Sequence, residues 1–510
     1  MTATGRHAEL VVYAATAAGV AAAVSAARHG VGVVLLEPGR HVGGMVSGGL
    51  GYTDVGDARV VGGIAREFAA AVAEHYGVRI GDYAGPEPHV AEQIFRRWLE
   101  DAGVEVVHDA PLGGVELAGA RIVAVTAGGK RYTAGVFVDA GYEGDLLAKA
   151  GVPYAVGRED RSLHGESLAG RTEIRPGKHQ FPHYVSPFRA GTDEVVPFVR
   201  NEPMADVGAG DGAVMSYGYR VCLSSGPDRR PFERRDGYDP AQWELARNWF
   251  RRLAEDGVEL RADQVVGLVR NLPNGKCDGN SIGPFSLNLL DGTNRAYPDG
   301  SPEDRERVRR VHRDYTRDFF WFMSTDPDVP RGVRDGLAAW GWAADEFLDT
   351  DGLPHQFYVR EARRMRGEYV LTQHDLLPAP RRQYDVVAMG SYHIDVREVQ
   401  RVWRSAYEHP DERCEVVNEG YQSIGVRPYP IPYRSLVPRF DDCSNLIVPV
   451  CVSASHVAFA SVRMEPQYEM LGHIAGLAAV LALAGDREVQ RVDVGELQRR
   501  LVDEGQVLAL

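Results

Sequence analysis

The opening of the chain is a clear pattern of apolar and polar positions. Residues 9–13 form a short apolar run with the length and β-branching of a buried strand, and residues 17–29 are Ala-rich and stop at Gly30, as a helix would. A second apolar run, residues 31–36, is followed directly by Glu37. Strand, tight turn, helix, strand and terminal acid within about 30 residues is the βαβ unit that binds dinucleotides. In such a unit the turn brings a helix N-terminus to a pyrophosphate, and the acid accepts hydrogen bonds from a ribose. Glycine is expected at three places in that turn, held here by Ala14, Thr16 and Gly19, with Ala18 just before the last. Only Gly19 conforms, so a Cβ at Ala14 has to be accommodated at the tightest point. By itself the segment fits both a nucleotide site and a ligand-free parallel unit.

After Glu37 the periodicity gives way to a glycine-dense loop, Pro38 to Thr53, with Gly43, Gly44, Gly48, Gly49 and Gly51, followed by Gly56. Such density lets backbone pass close to a flat or charged ligand, and its position after the acid favours that reading over a bare surface loop. Helical periodicity returns at 63–75 and 90–102. Alternating runs at 104–107, 114–117, 122–126 and 130–134 predict a small antiparallel meander. Another apolar strand, 136–140, leads through Gly141-Tyr142-Glu143-Gly144-Asp145 into a short helix, whose first turn suits the two acids. From 152 to 350 the chain is richer in Pro, Arg, Asp and aromatics, with long helices expected at 241–255, 302–323 and 331–344. The last third predicts a strand at 445–450 and an Ala-rich helix at 469–484.

Composition narrows the functional classes. Acidic residues outnumber basic ones 71 to 57, a formal charge of −14 that disfavours nucleic acid and anionic membranes as general partners. Apolar (44%) and charged (25%) fractions are those of a globular protein, no continuous apolar span suggests a bilayer crossing, and residues 1–7 lack the regions of a signal peptide. Five scattered cysteines with no Cys-x-x-Cys pair point to a reducing, cytoplasmic setting without disulfides, clusters or zinc ribbons. No hydrolase elbow, zinc motif or phosphate-binding loop appears, and no metal is expected.

Several ordered segments resemble one family: EPGRHVGGM (37–45), EPHVAEQIF (87–95), VFVDAGYEGDLLAKAGVPYAVGRE (136–159), LPNGKCDGN (272–280), PHQFYVREARRMRGEYVLTQ (354–373), PYPIPYRSLVP (428–438) and VPVCVSASHVAFASVRMEPQYEMLGHIAGLAA (448–479). Together they are similar to FAD-dependent oxidoreductases of the glutathione-reductase-like superfamily. The resemblance implies an α/β fold, a discontinuous Rossmann-like FAD-binding domain with an inserted α+β substrate domain. Its parts would be residues 1–151, the inserted domain 152–350, and a C-terminal part, 351–510, that faces the substrate and completes the FAD domain. FAD is the implied cofactor, with Ala14, Thr16, Ala18, Gly19, Glu37, Pro38, Gly43, Gly44 and Met45 around its nucleotide half. Asp139, Ala140 and Glu143 would form a second contact strand, and Arg463 and Met464 would precede a helix facing the flavin pyrimidine, where an N-terminus stabilises negative charge. Two departures stand out. The family's first turn usually reads Gly-Gly-Thr-Pro-Ala-Gly, and His393 in MGSYHID stands where an amide is expected.

Flavin chemistry asks the protein for little beyond a proton acceptor near the substrate. His355, His393 and His456 are the candidates because each lies in a family-like segment, although each also suits a structural role. His41 sits near the loop where some relatives attach flavin covalently, but its offset from the glycines differs from theirs. On a helix, Arg360, Arg363 and Arg364 would share a face, either clamping an anionic small-molecule substrate or pairing with Glu361 and Glu368. Tyr433, with Tyr358, Tyr369 and Arg434, would add polar contacts. The expected reaction is a two-electron dehydrogenation or oxidation. The alternatives are a flavin monooxygenase and a non-redox or flavin-free protein on the same fold.

Overall fold

The computed structural model describes residues 5–80, 85–177, 179–182, 184–405 and 414–510; residues 1–4, part of the segment read for a signal peptide, lie outside them. A five-stranded parallel sheet organises the nucleotide side. Its spatial order is Leu446–Ile447, Val136–Asp139, Leu10–Tyr13, Val33–Leu36 and Glu105–Val107. The two central strands and Val136–Asp139 are buried throughout, which is why they read as continuous apolar runs rather than alternating ones. The sheet therefore takes one strand from near the end of the chain, and the α/β Rossmann-like architecture is discontinuous.

Several expected elements change on folding. Residues 104–107 do not join the meander: Glu105–Val107 extends the parallel sheet, and Glu37 N donates to Val107 O at 2.8 Å. The antiparallel meander has three strands, Leu112–Ala118, Arg121–Ala127 and Lys130–Thr133, with Arg6–His7 added in parallel at its edge. The expected strand at 445–450 is cut to Leu446–Ile447 because Val448 N leaves the sheet and donates to Leu436 O at 2.8 Å. The helix expected over 331–344 stops at Ala338, since Gly341–Trp342 pairs with Leu223 and Ser224.

Residues beyond 152 build several small antiparallel ladders around an aromatic core in which Trp243 stacks on Phe322 (4.8 Å between centroids) and on Tyr315. The 24-residue helix Pro302–Thr325 starts at a Ser301–Asp304 capping box and carries Arg305 and Arg309 toward the nucleotide side.

Two helices bind the ends of the chain together. The first helix, Ala17–Arg28, packs on the C-terminal core helix, Glu465–Ala484, and small residues make the approach close. A Cβ on Gly472 would lie 2.8 Å from the Ala18 Cα and closer still to its carbonyl, and one on Gly476 would lie 2.9 Å from the Ser25 Cβ. Among the described residues this C-terminal helix is the one long and apolar enough to cross a membrane, yet 83% of that window is buried inside the protein, as a core helix requires. We expect Gly472→Ala to destabilise the fold by about 1–3 kcal/mol, the range of an overpacked core. A urea midpoint unchanged from the parent would show that the two helices separate freely.

Candidate functional site

The turn after the first strand confirms why glycine belongs there. Ala14 has a φ of +71°, the left-handed region, while its N–H donates to Leu36 O at 2.8 Å. An alanine held there costs about 1–2 kcal/mol. Gly19 permits the turn, because a Cβ at that position would overlap the Ala14 carbonyl. Thr16 caps the helix: its hydroxyl accepts from Gly19 N (3.2 Å) and donates to Ala140 O (2.8 Å). The carboxylate of Glu37 is drawn against the same turn, accepting from Ala15 N and Gly39 N, each at 2.7 Å. Burial nevertheless dominates and pushes the Glu37 carboxyl up to about 7.

These groups open onto a cleft of about 400 Å³ lined by Ala14, Thr16, Glu37, Pro38, Gly44 and Glu143. His41, Arg309 and His355 complete it. His41 donates through Nδ1 to Glu92 (3.1 Å) and through Nε2 to Asp349 (2.9 Å), and these bonds raise its affinity for the proton. Both nitrogens are thereby engaged. His355 stacks on it with centroids 4.0 Å apart; burial, then the neighbouring His41, lower His355 to about 3. Burial thus disfavours the protonated form of His355, which makes it a weak base. Its Nε2 is buried without a partner. An orphan imidazole nitrogen, a helix start, an acid at the strand end and Arg309 together fit the adenosine diphosphate half of FAD.

Other residues chosen from the sequence support this cleft or lie elsewhere. Ala18 is fully buried under Gly472, and Gly43 N donates to Ala15 O at 2.7 Å, joining the glycine loop to the turn. Met45 is sealed as well; its N–H donates to Tyr142 Oη at 2.9 Å. Asp139 is not available to a cofactor: it is fully buried and accepts from Gly141 N and Leu147 N. Ala140 is buried too, holding the Thr16 hydroxyl. Tyr433 is a core residue whose hydroxyl donates to Val489 O at 2.8 Å. His456 is 1% exposed and its Nδ1 donates to Glu361 at 2.8 Å, inside a buried network in which Arg364 joins Glu361 and Glu159.

The three arginines do not share a helical face, because residues 358–363 have irregular backbone and Arg364–Met365 is a strand. Arg363 pairs with Asp145 (2.9 Å) and Asp299 (2.8 Å), and Arg364 with the two glutamates. Arg360 goes to a second constellation. Its Cζ lies 4.2 Å from the ring centroid of Tyr358, whose hydroxyl accepts from Arg463 Nη1 at 3.3 Å. Arg463 also donates to Asp395 at 3.0 Å, and His393 Nε2 lies 3.8 Å from the other oxygen of Asp395. Although burial opposes it, His393, Arg463 and Arg397 hold the Asp395 carboxyl well below the usual carboxylate range.

Tyr392, beside His393, borders a small recess with Ser391, Met464 and Gln467, so this constellation adjoins the start of the C-terminal helix. Tyr142 links the two regions, its hydroxyl donating to Glu465 Oε1 at 2.8 Å. Burial pushes Glu465 up to about 8. Sequence reasoning missed Tyr142, Asp395, Arg397 and Arg309. Arg309 sits on a charge-rich helix that reads as solvated, and nothing in its pattern marks it. A further carboxylate group, Glu87, Asp345 and Glu346, closes on Lys276 Nζ at 2.6–2.8 Å and so already holds a cation.

A parallel sheet, a tight first turn and an acid-bordered cleft define a nucleotide-binding α/β protein of Rossmann type. The chain belongs to the FAD dependent oxidoreductase family, which matches residues 9–501. It is thus a flavoenzyme with FAD as its cofactor. No curated protein matches it. Among solved structures it is similar to 3-ketosteroid-Δ4-(5α)-dehydrogenase from Rhodococcus jostii RHA1, with 18% identity over 27% of this chain and 46% of that one and a TM-score of 0.20. L-proline dehydrogenase from P. horikoshii gives 16% identity over 31% and 59%, with a TM-score of 0.24. The myxobacterial chondrochloren halogenase CndH gives 19% over 30% and 41%, also at 0.24. The match spans roughly half the length of these structures and concerns the fold alone.

Two expectations follow. Ala14→Gly should stabilise the protein by up to about 1 kcal/mol, the roughly 1–2 kcal/mol of left-handed strain relieved less the roughly 0.4–1 kcal/mol of unfolded-chain entropy that glycine adds, which chemical denaturation measures; a loss of stability would mean that the turn has adapted to alanine. Glu37 carries a carboxyl raised from about 4.5 in the unfolded chain to about 7 in the folded one. The folded state therefore holds the extra proton, and this group's contribution to stability is present below pH 4.5 and is lost as pH rises to about 7. Stability curves of apoprotein and Glu37→Gln should diverge across that window; parallel curves would place Glu37 in water.

Proposed function

We propose that the enzyme removes two electrons from a small polar substrate at a C–OH, C–NH or CH–CH unit, with His393 as the proton acceptor. The observation that carries this reading is the His393–Asp395–Arg463 constellation beside the start of the C-terminal helix. When bound, FAD supplies a two-electron acceptor at its N5. We assign its adenosine diphosphate half to the Glu37–His355 cleft and its ring to the region before Met464 and Gln467, where helix amides favour negative charge.

The chain's own task is to take the proton that a C–OH or C–NH group must lose. His393 suits that task better than the other two histidines. Its side chain is 36% exposed, so solvent reaches it, and its Nε2 lies 3.8 Å from an oxygen of Asp395, which orients the ring. His355 is too weak a base, and His456 is committed to Glu361. Residues 152–350 and the segments after them supply the walls on the substrate side. Five unpaired cysteines, four of them buried, support a reducing compartment, which we take to be the cytoplasm.

The test is anaerobic mixing of FAD-loaded enzyme with a panel of small alcohols, amines and hydroxy and amino acids, followed by the visible flavin band. We expect at least one compound to bleach it, and His393→Gln to retain FAD while slowing the bleaching by about 10²–10⁴. Bleaching by no member of the panel would overturn the redox reading. Unchanged bleaching in the variant would remove His393 from it.

A further inference from the structure

Four buried arginines interact electrostatically with Tyr358: Arg360 on its ring, Arg463 on its hydroxyl, and Arg220 and Arg397 nearby. Three have a carboxylate of their own. Arg220 pairs with Asp278, Arg397 with Glu398 (3.3 Å) and Arg463 with Asp395 (3.0 Å). Glu398 is shared, since His179 Nδ1 lies 2.9 Å from it. Arg360 is 5% exposed, and among the described residues no carboxylate lies within 4 Å of its guanidinium. Its polar contacts are with one residue: Nη1 donates to the Ser216 carbonyl and lies 3.5 Å from the Ser216 hydroxyl.

Arg401 shows what a settled, carboxylate-free buried arginine looks like. Its guanidinium donates to Asn418 Oδ1 (3.0 Å), Pro284 O (2.9 Å) and Phe198 O (3.4 Å), using all three nitrogens. Arg360 has no such set, and the Nε of neighbouring Arg463 is buried without a partner. An unpaired buried charge is costly to keep, and proteins that keep one generally pair it with a ligand. Of the four guanidiniums, Arg360 is the one with no carboxylate partner among the described residues, and a monoanion matches its single charge. The planar donor fork also matches a carboxylate. Tyr358 itself is half-buried, so part of this cluster borders the surface.

We propose that Arg360, with the free Nε–H of Arg463, forms the carboxylate subsite of the substrate pocket, so that the enzyme takes a small organic acid. As a statement about substrate this rests on the oxidoreductase reading above; as a statement about binding it does not. The asymmetry decides the experiment. Calorimetric titration of the FAD-loaded protein with acetate, propionate and malonate should give saturable binding, with acetamide and propionamide at least tenfold weaker. Arg360→Met should weaken carboxylate binding at least tenfold while raising the ligand-free Tm, because it removes a charge the folded protein leaves uncompensated. Arg360→Lys, which keeps the charge and loses the fork, should retain the fold and bind weakly.

Equal binding of the amides, preference for inorganic phosphate, or a variant that melts lower and binds normally would each overturn the subsite. Carboxylate binding without oxidation of any acid would leave the subsite standing and defeat the redox reading. Oxidation of an uncharged substrate that Arg360→Met leaves untouched would do the reverse.

Discussion

The close packing of the first helix on the C-terminal core helix is the constraint on which the rest of the structure depends. Alanines on one side and Gly472 and Gly476 on the other let the two backbones approach closely enough that a methyl group would collide with carbonyl oxygen. The first helix begins at the turn bordering the nucleotide cleft, and the C-terminal helix begins at Glu465, two residues after Arg463. Fixing the two helices side by side therefore fixes the distance between nucleotide cleft and arginine cluster, although more than 400 residues of chain separate them. Gly63 extends the same logic, since a Cβ there would meet the His473 ring at 2.5 Å. A site assembled from both ends of a chain needs such a clamp, because intervening loops cannot hold it to the required tolerance.

Much of the nucleotide side was legible because its signals are local. Buried parallel strands read as short apolar runs, the Ala-rich helix declares itself by propensity, and Glu37 follows its strand directly. The turn was legible even in its defect: the position where glycine was missing is the one with φ +71°. The edge strand at 105–107 was misread because an outer strand is only half-buried and alternates like a hairpin. The substrate side was legible in its residue types and not in their arrangement. Arg360, Arg363 and Arg364 lie within five positions of one another, yet irregular backbone sends them to three different sets of partners. No periodicity encodes that divergence. Arg397 and Asp395 alternate on and beside a short strand, a pattern that ordinarily means a solvated face. His393 was chosen because it lies in a family-like segment, and its partner Asp395 was found only in three dimensions.

Tolerance of Ala14 says something about how the nucleotide turn works. The left-handed conformation there is imposed from both sides, by the hydrogen bond to Leu36 O and by the approach of Gly19 beneath the carbonyl. Strain of this size persists where the surroundings over-determine the backbone. The amides at the start of the first helix belong to residues after the strained position, so the strain at Ala14 is confined to the turn itself.

The two halves of the site hold their charge in opposite ways. Around the nucleotide cleft and the helix start behind it, burial raises the carboxyls of Glu37 to about 7, Asp139 to about 7 and Glu465 to about 8, and lifts Glu469 well above its ordinary value. Burial in this way disfavours the ionised form of each of these acids. The arginine cluster cannot adjust so easily. Burial, with Arg397, Arg463 and Arg220 nearby, lowers Arg360 only to about 9, which leaves it charged at physiological pH. Burial thus weakens the negative charge at one end of the site, while at the other Arg360 has no carboxylate partner among the described residues. In a protein of net charge −14 that unpaired charge is a local exception, and it gives an anionic substrate an electrostatic reason to bind at this one place.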